Sequence, residues 1–222
     1  MGSDLTVFLE FYGLPGCGKS TVSHLVAEEL RKQGKKVIEP TYDLDHKYSD
    51  AKRKTLKFLM LLVFAIVHPQ KNRKLTRLII ANGYKGTEMV SQAANIAFKL
   101  LAYEKADTDY VIFDEGLTQS AISLCQGKRN SVENEAKLYG LCKKRSVYKL
   151  YINIDIVTAL ERMAGRRQHD SRIEKITDAL EQEKAIKAFE KQCDEISSEF
   201  SVNDETVEEC VDNVMRQIQD EK

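Results

Sequence analysis

The sequence predicts a single α/β domain on a parallel sheet, with a block of helices inserted after the second strand. Three observations predict it. Short β-branched and aromatic runs recur along the chain, separated by segments whose apolar residues keep helical spacing. The first of these runs feeds a glycine-rich turn, a helix and another strand, the opening unit of a parallel sheet. Residues 42–103 carry several helical patterns and no convincing strand.

The elements follow in order. Thr6–Tyr12 (TVFLEFY) is a strand running into the turn, and Thr21–Lys32 is a helix with Val22, Leu25, Val26 and Leu30 on one face. Gly34 ends it. Lys36–Glu39 is a short strand stopped by Pro40. The helical block follows, with the apolar run Phe58–Val67 and a second segment, Thr87–Leu101. Tyr110–Phe113 (YVIF) is a wholly apolar strand stopped by Asp114-Glu115-Gly116, and Gln119–Arg145 reads as polar and helical. Val147–Ile154 is the next strand, followed by a helix from Val157, a basic segment Arg162–Arg172 and a charged helix Glu174–Ser197. Phe200–Val202 reads as a last strand before a helix over Glu205–Ile218, capped by Asn203 or Asp204. No repeat, low-complexity tract or Gly/Ser-rich linker divides the 222 residues, so residues 1–222 are expected to form one domain.

Composition narrows the function classes. Hydrophobic residues make up 42% and charged residues 31%, ordinary for a globular chain. With 34 basic and 34 acidic side chains the net charge is zero, which argues against a nucleic-acid partner. The five cysteines are scattered without zinc-ligand spacing and read as reduced thiols. No secretory leader is evident, and a cytoplasmic location is expected. The run FLMLLVFAIV is too short to span a bilayer, which takes about 20 residues. A buried helix, or a helix shared between two subunits, is the expectation.

The chemistry is carried by Gly13-Leu14-Pro15-Gly16-Cys17-Gly18-Lys19-Ser20, followed by Thr21, which satisfies GxxxxGK[ST] at every fixed position. Glycines let successive backbone N–H groups turn inward around a phosphate, and the following helix adds its unpaired N-terminal amides. Gly13, Pro15, Gly16, Cys17, Gly18, Lys19, Ser20 and Thr21 are therefore the candidate nucleotide-binding residues, for ATP with Mg²⁺. Lys19 would reach the terminal phosphates and Ser20 would offer its hydroxyl to the metal. The context, strand then helix, is the one this phosphate-binding loop (P-loop) requires, so the expected architecture is the three-layer P-loop NTPase fold. Asp114 ends the apolar strand where a parallel sheet presents side chains to ligands, and is the candidate magnesium carboxylate. Its neighbour Glu115 is read two ways, as a group that directs water onto the γ-phosphate or as a contact to a phosphoryl acceptor. Arg162, Arg166, Arg167 and Arg172 lie within one short segment and suit a mobile, charge-stabilising lid. A solvated basic helix face, balanced by Glu161, Asp170 and Glu174, is the plainer reading of the same run.

The loop GLPGCGKST, the strand-end Asp114 and the pattern ALERMAGRRQHDSRIE (Ala159–Glu174) together resemble the thymidylate kinase and deoxynucleoside kinase branch of P-loop kinases. The tail FSVNDETVEECVDNVMRQI is similar to that group's last strand and helix. The resemblance implies a five-stranded parallel sheet, a helical acceptor region (about 42–105), an arginine-bearing lid (about 162–172) and use of Mg-ATP. It also implies a homodimer through the acceptor-region helices, which would give Phe58–Val67 a partner. Ile38-Glu39-Pro40 is similar to the Glu-Pro in which the Glu acts as base toward a sugar hydroxyl, making Glu39 a candidate base. Both families place an arginine after the residue matching Asp114, and this chain has Glu115. The resemblance thus implies phosphoryl transfer to a small molecule, a nucleoside or nucleotide. An ATPase or nucleotide-dependent regulator working through Glu115 is the alternative, and a module that only binds nucleotide is a third. No LSGGQ signature and no NKxD motif occurs.

Overall fold

The structure is a computed structural model and describes residues 6–105, 107–125, 130–142, 146–165, 173–196, 200–203 and 206–220. Its centre is β1 (Val7–Gly13). Side chains alternate across a strand, so Leu9 and Phe11 enter one apolar cluster and Phe8 the opposite one. A strand apolar on both faces belongs inside a sheet. β3 (Tyr110–Phe113) pairs along one edge of β1 and β4 (Val147–Asn153) along the other. β2 (Val37–Ile38) lies outside β3 and β5 (Phe200–Asn203) outside β4, giving the order β2-β3-β1-β4-β5 with every pairing parallel.

Helices cover both faces. On the Leu9 side, α1 (Lys19–Lys32), α8 (Ile156–Ala164), α9 (Ala179–Asp194) and α10 (Val207–Asp220) supply Val26, Ala159, Ile186 and Val214. On the Phe8 side, α3 (Asp50–Val67), α4 (Pro69–Ala81) and α5 (Gly86–Lys105) bring in Phe64, Leu75 and Ile96. They are joined there by Leu117 of α6 (Leu117–Leu124) and Leu138 of α7 (Ser131–Tyr139). With α2 (Pro40–Lys47), the stretch between β2 and β3 is helical, as its sequence predicts.

Three expectations need correction. The apolar run of α3 is not a buried helix: Phe64 alone is buried in α3, while Phe58, Leu59, Leu62, Val63, Ile66 and Val67 are exposed. The start of the Gln119–Arg145 segment is not polar in environment, because α6 is buried from Leu117 to Ile122 between the sheet and its neighbours. The N-terminus of α10 is held by Thr206 instead of the expected cap. Thr206 Oγ1 accepts from Glu209 N at 3.2 Å while Glu209 Oε2 accepts from Thr206 N at 2.9 Å, a reciprocal capping box.

One polar group sits in the middle of this packing. Glu10 of β1 is fully buried on the Phe8 side of the sheet. Its carboxylate accepts the amides of Leu117 and Thr118, both at 2.9 Å, and the hydroxyl of Tyr103. Burial, and then the neighbouring Glu10 charge, hold the Tyr103 phenol well above its ordinary pKa, so it remains a donor. The first two amides of α6 thus receive their acceptor from a strand, not from a cap in their own chain segment. This close approach explains Gly116, since a Cβ there would overlap the Glu10 carboxyl group. Gly116→Ala is expected to destabilise the fold by about 1–3 kcal/mol through overpacking. Urea unfolding measures this, and an unchanged midpoint would show that Glu10 does not press on Gly116.

Candidate active site

Because β1 is flanked by β3 and β4, the loop leaving β1 emerges beside the C-terminal ends of both. Gly13 pairs in register with Ile152 and has φ +147°, and a side chain there would collide with the Ile152 carbonyl. Gly18 takes φ +95° immediately before α1. The helix that follows has no side-chain cap and no acidic residue in its first turn, so its leading amides and dipole are available to an anion. Lys19 is buried, and its Nζ donates to the carbonyls of Gly13 at 3.2 Å and Leu14 at 2.9 Å. Burial acts to lower its pKa, but Cys17, Glu115, Cys193 and Asp114 outweigh it, and the pKa lies above the ordinary lysine value. The loop therefore keeps a cation at its centre.

Asp114 follows β3 and faces this loop. Its Oδ2 accepts the Ser20 hydroxyl at 2.7 Å, while its buried Oδ1 has no hydrogen-bond partner among the described residues. A hydroxyl and a carboxylate oxygen left unpaired are a hard-oxygen donor set, and they fit Mg²⁺ shared with nucleotide phosphates. Among the described residues no group of three or more His, Cys, Asp or Glu could hold a metal. Gln119 of α6 holds the loop from behind: its Oε1 accepts from Gly13 N at 3.1 Å and its Nε2 donates to Gly13 O at 3.2 Å.

The loop and Asp114 wall one part of a cleft of about 920 Å³. The cleft runs on past Glu115 to Thr41 and Asp45, Lys57 of α3, and Gln92, Asn95 and Lys99 of α5. Glu115 is exposed on this wall. Lys99 is buried and donates to Ser120 Oγ at 2.8 Å and Gly116 O at 3.1 Å. Burial lowers its pKa; Glu115 opposes that fall, while Lys57 adds to it.

The predicted site residues are thus only partly gathered. Pro15, Gly16, Gly18, Lys19, Ser20, Thr21, Asp114 and Glu115 line one cleft, while Gly13 and Cys17 do not. Glu39 does not line it. It is buried, ion-paired with Arg31 at 2.8 Å, and its carboxylate faces His24 Nδ1 at 3.1 Å. Arg162, in the last turn of α8, is exposed and also absent from the lining. Arg166, Arg167 and Arg172 lie outside the described residues. Lys57, Lys99 and Gln119 are the site residues that sequence reasoning missed. The one available signal was Gln119, five residues beyond the metal candidate on the next helix.

The fold is that of the P-loop kinases. The family model for Nephrocystin 3, N-terminal, matches residues 2–117, and the chain belongs to that family. No curated protein matches it. Among solved structures it is similar to shikimate kinase from Acinetobacter baumannii, at 13% identity and a TM-score of 0.55 over 98% of this chain and 95% of that one. Thymidylate kinase from Ehrlichia chaffeensis gives 13% and 0.55 over 96% and 99%. Deoxyadenosine kinase from M. mycoides, with bound dATP, gives 15% and 0.54 over 96% and 99%.

Asp114→Asn preserves shape and removes the charge. It is expected to weaken Mg-ATP binding about 10- to 100-fold, the effect of losing one charge-assisted contact, and to leave metal-free ATP binding little changed. Calorimetric titration with and without Mg²⁺ checks this, and an unaltered Mg²⁺ dependence would remove Asp114 from the metal site.

Proposed function

We propose that the protein is an ATP- and Mg²⁺-dependent phosphotransferase acting on a small molecule of the nucleoside or nucleotide class. The observation that carries this reading is the shared cleft. The phosphate-binding loop and Asp114 form one part of its wall, and polar side chains of the inserted helices α3 and α5 form another. A site that only hydrolyses nucleotide needs no such second chamber. The neighbouring shikimate, thymidylate and deoxyadenosine kinases support the reading through fold.

In this scheme the loop amides and Lys19 bind the β- and γ-phosphates. Ser20 and Asp114 would hold Mg²⁺, which would supply charge neutralisation to those phosphates. Glu115, exposed on the cleft wall, is the carboxylate we assign to take the proton of the acceptor hydroxyl. Glu39, tied to Arg31 and His24, is better suited to anchoring α1 against the start of α2 than to proton transfer. The arginines Arg162, Arg166, Arg167 and Arg172 remain our candidates for a lid over the transferring group. The five free cysteines fit a reducing, cytoplasmic setting.

The exposure of Glu115 directly after Asp114 also favours a second reading, an ATPase in which Glu115 directs water. Transfer of label from [γ-³²P]ATP separates the two, with water alone compared against pools of nucleosides, nucleoside monophosphates and sugars. A labelled organic product that disappears in Lys19→Ala is the expected result. Label released only as free phosphate at one rate in every tube, and lost in Glu115→Gln, would replace the kinase reading with the ATPase.

We further assign the exposed face of α3 to a second copy of the chain. Phe58, Leu59, Leu62 and Ile66 repeat at helical spacing, and Ile66 is 80% exposed. Sedimentation should give a dimer that Ile66→Glu converts to monomer; a monomeric parent protein at all concentrations would rule this out.

A further inference from the structure

Lys99 is a buried cation without a carboxylate. It is 8% exposed, and its ammonium donates to two neutral oxygens, Gly116 O and Ser120 Oγ. An ammonium has three donors, so one is unused by these contacts. Among the described residues neither Lys99 nor Lys57 belongs to an ion pair. Lys57, from the neighbouring helix α3, lines the same cleft and is near enough to oppose the charge on Lys99. Burial also lowers the pKa of Lys57 itself, against the pull of Asp45.

Two mutually repelling, partly desolvated cations work against folding unless something compensates them. Glu115, Glu10 and Asp114 pull against the fall in the Lys99 pKa, as Asp45 does for Lys57, but among the described residues none of them forms an ion pair with either lysine. Asp45 is engaged by Arg53 at 3.1 Å, and Glu115 is exposed and unpaired with either lysine. Gln92 and Asn95 line the same wall and add neutral hydrogen-bonding groups. With no direct carboxylate contact among the described residues, both ammonium groups stand at the cleft wall open to an anion from solvent.

We infer that the cleft wall formed by α3, α5 and α6 is a binding site for a fixed negative group, a phosphate or carboxylate, on the phosphoryl acceptor, gripped by Lys57 and Lys99. The identity of the occupant as acceptor rests on the proposed phosphotransfer; the anion site rests on the two lysines alone. Within the proposed nucleoside or nucleotide class it favours nucleoside monophosphates over free nucleosides; outside that class the same grip would take hydroxycarboxylates and not neutral sugars.

The test is calorimetric titration of the full chain, with Mg-ADP present, using matched probes. Nucleoside 5′-monophosphates are paired with their nucleosides, and hydroxycarboxylates with their amides. One anionic class should bind at least about 10-fold more tightly than its neutral counterpart, the value of one charge-assisted contact. That preference should fall about 10-fold or more in Lys57→Gln and in Lys99→Met, and Lys57→Arg should retain it. Lys57 carries no described hydrogen bond, so its variant tests the site even if Lys99→Met does not fold. Equal binding of neutral probes, wild-type affinity in Lys57→Gln, or no binding by any anionic probe overturns the inference. A probe that binds through the lysines but accepts no label from [γ-³²P]ATP leaves the anion site standing and removes the phosphotransfer. Full-rate labelling of neutral acceptors by Lys57→Gln does the reverse.

Discussion

A carboxylate buried on a central strand is stable only if every oxygen finds a donor, and Glu10 meets that demand with two helix amides and a phenol. Removing any of these donors would leave a charge in an apolar layer, where an unpaired ionised group is far more costly than a lost hydrogen bond in water. The consequence is positional. The start of α6 cannot slide along the sheet, and the three residues between β3 and α6 are confined to one path. Those three residues are Asp114, Glu115 and Gly116. Glu10 does not itself line the cleft, yet it fixes the turn that carries the candidate metal carboxylate and the exposed Glu115.

Parallel topology does the rest of the assembly. With β1 between β3 and β4, the loop at Gly13 and the turn at Asp114 must leave the sheet on the same edge and side by side. The contact of Ser20 with Asp114 joins residues far apart in sequence but only one strand apart in the sheet. The insertion of α2–α5 between β2 and β3 then raises a second wall over that edge. In the proposed phosphotransfer, nucleotide chemistry and acceptor recognition would thus come from separate parts of the chain, the first from strand ends, the second from inserted helices.

What could be read in the sequence follows from this division. The phosphate-binding loop is contiguous, so its eight-residue pattern is complete before any folding is considered. The strand Tyr110–Phe113 was equally legible, because a short apolar run stopped by Asp and Gly has few other readings. Lys57, Lys99 and Gln119 were not legible, since each is an ordinary polar residue on a helix until three helices bring them to one cleft. The apolar run of α3 left two readings open because hydrophobicity reports what prefers burial, and the described residues bury Phe64 alone of that helix. The reciprocal Thr206–Glu209 cap was visible as a T-x-x-E pattern but was overshadowed by the Asn and Asp before it.

Helix α6 has a property that no single contact reveals. Its first four residues are fastened to four parts of the molecule: Leu117 and Thr118 to Glu10, Thr118 also to Glu135, Gln119 to both backbone groups of Gly13, and Ser120 to Lys99. A short rigid rod anchored at both the nucleotide loop and the opposite wall is a lever, and displacement of one end is felt at the other. If the protein is the phosphotransferase proposed above, a change in this turn of helix that altered the acceptor wall would also disturb the nucleotide loop, whereas a change in α3 or α5 would not pass through that shared part.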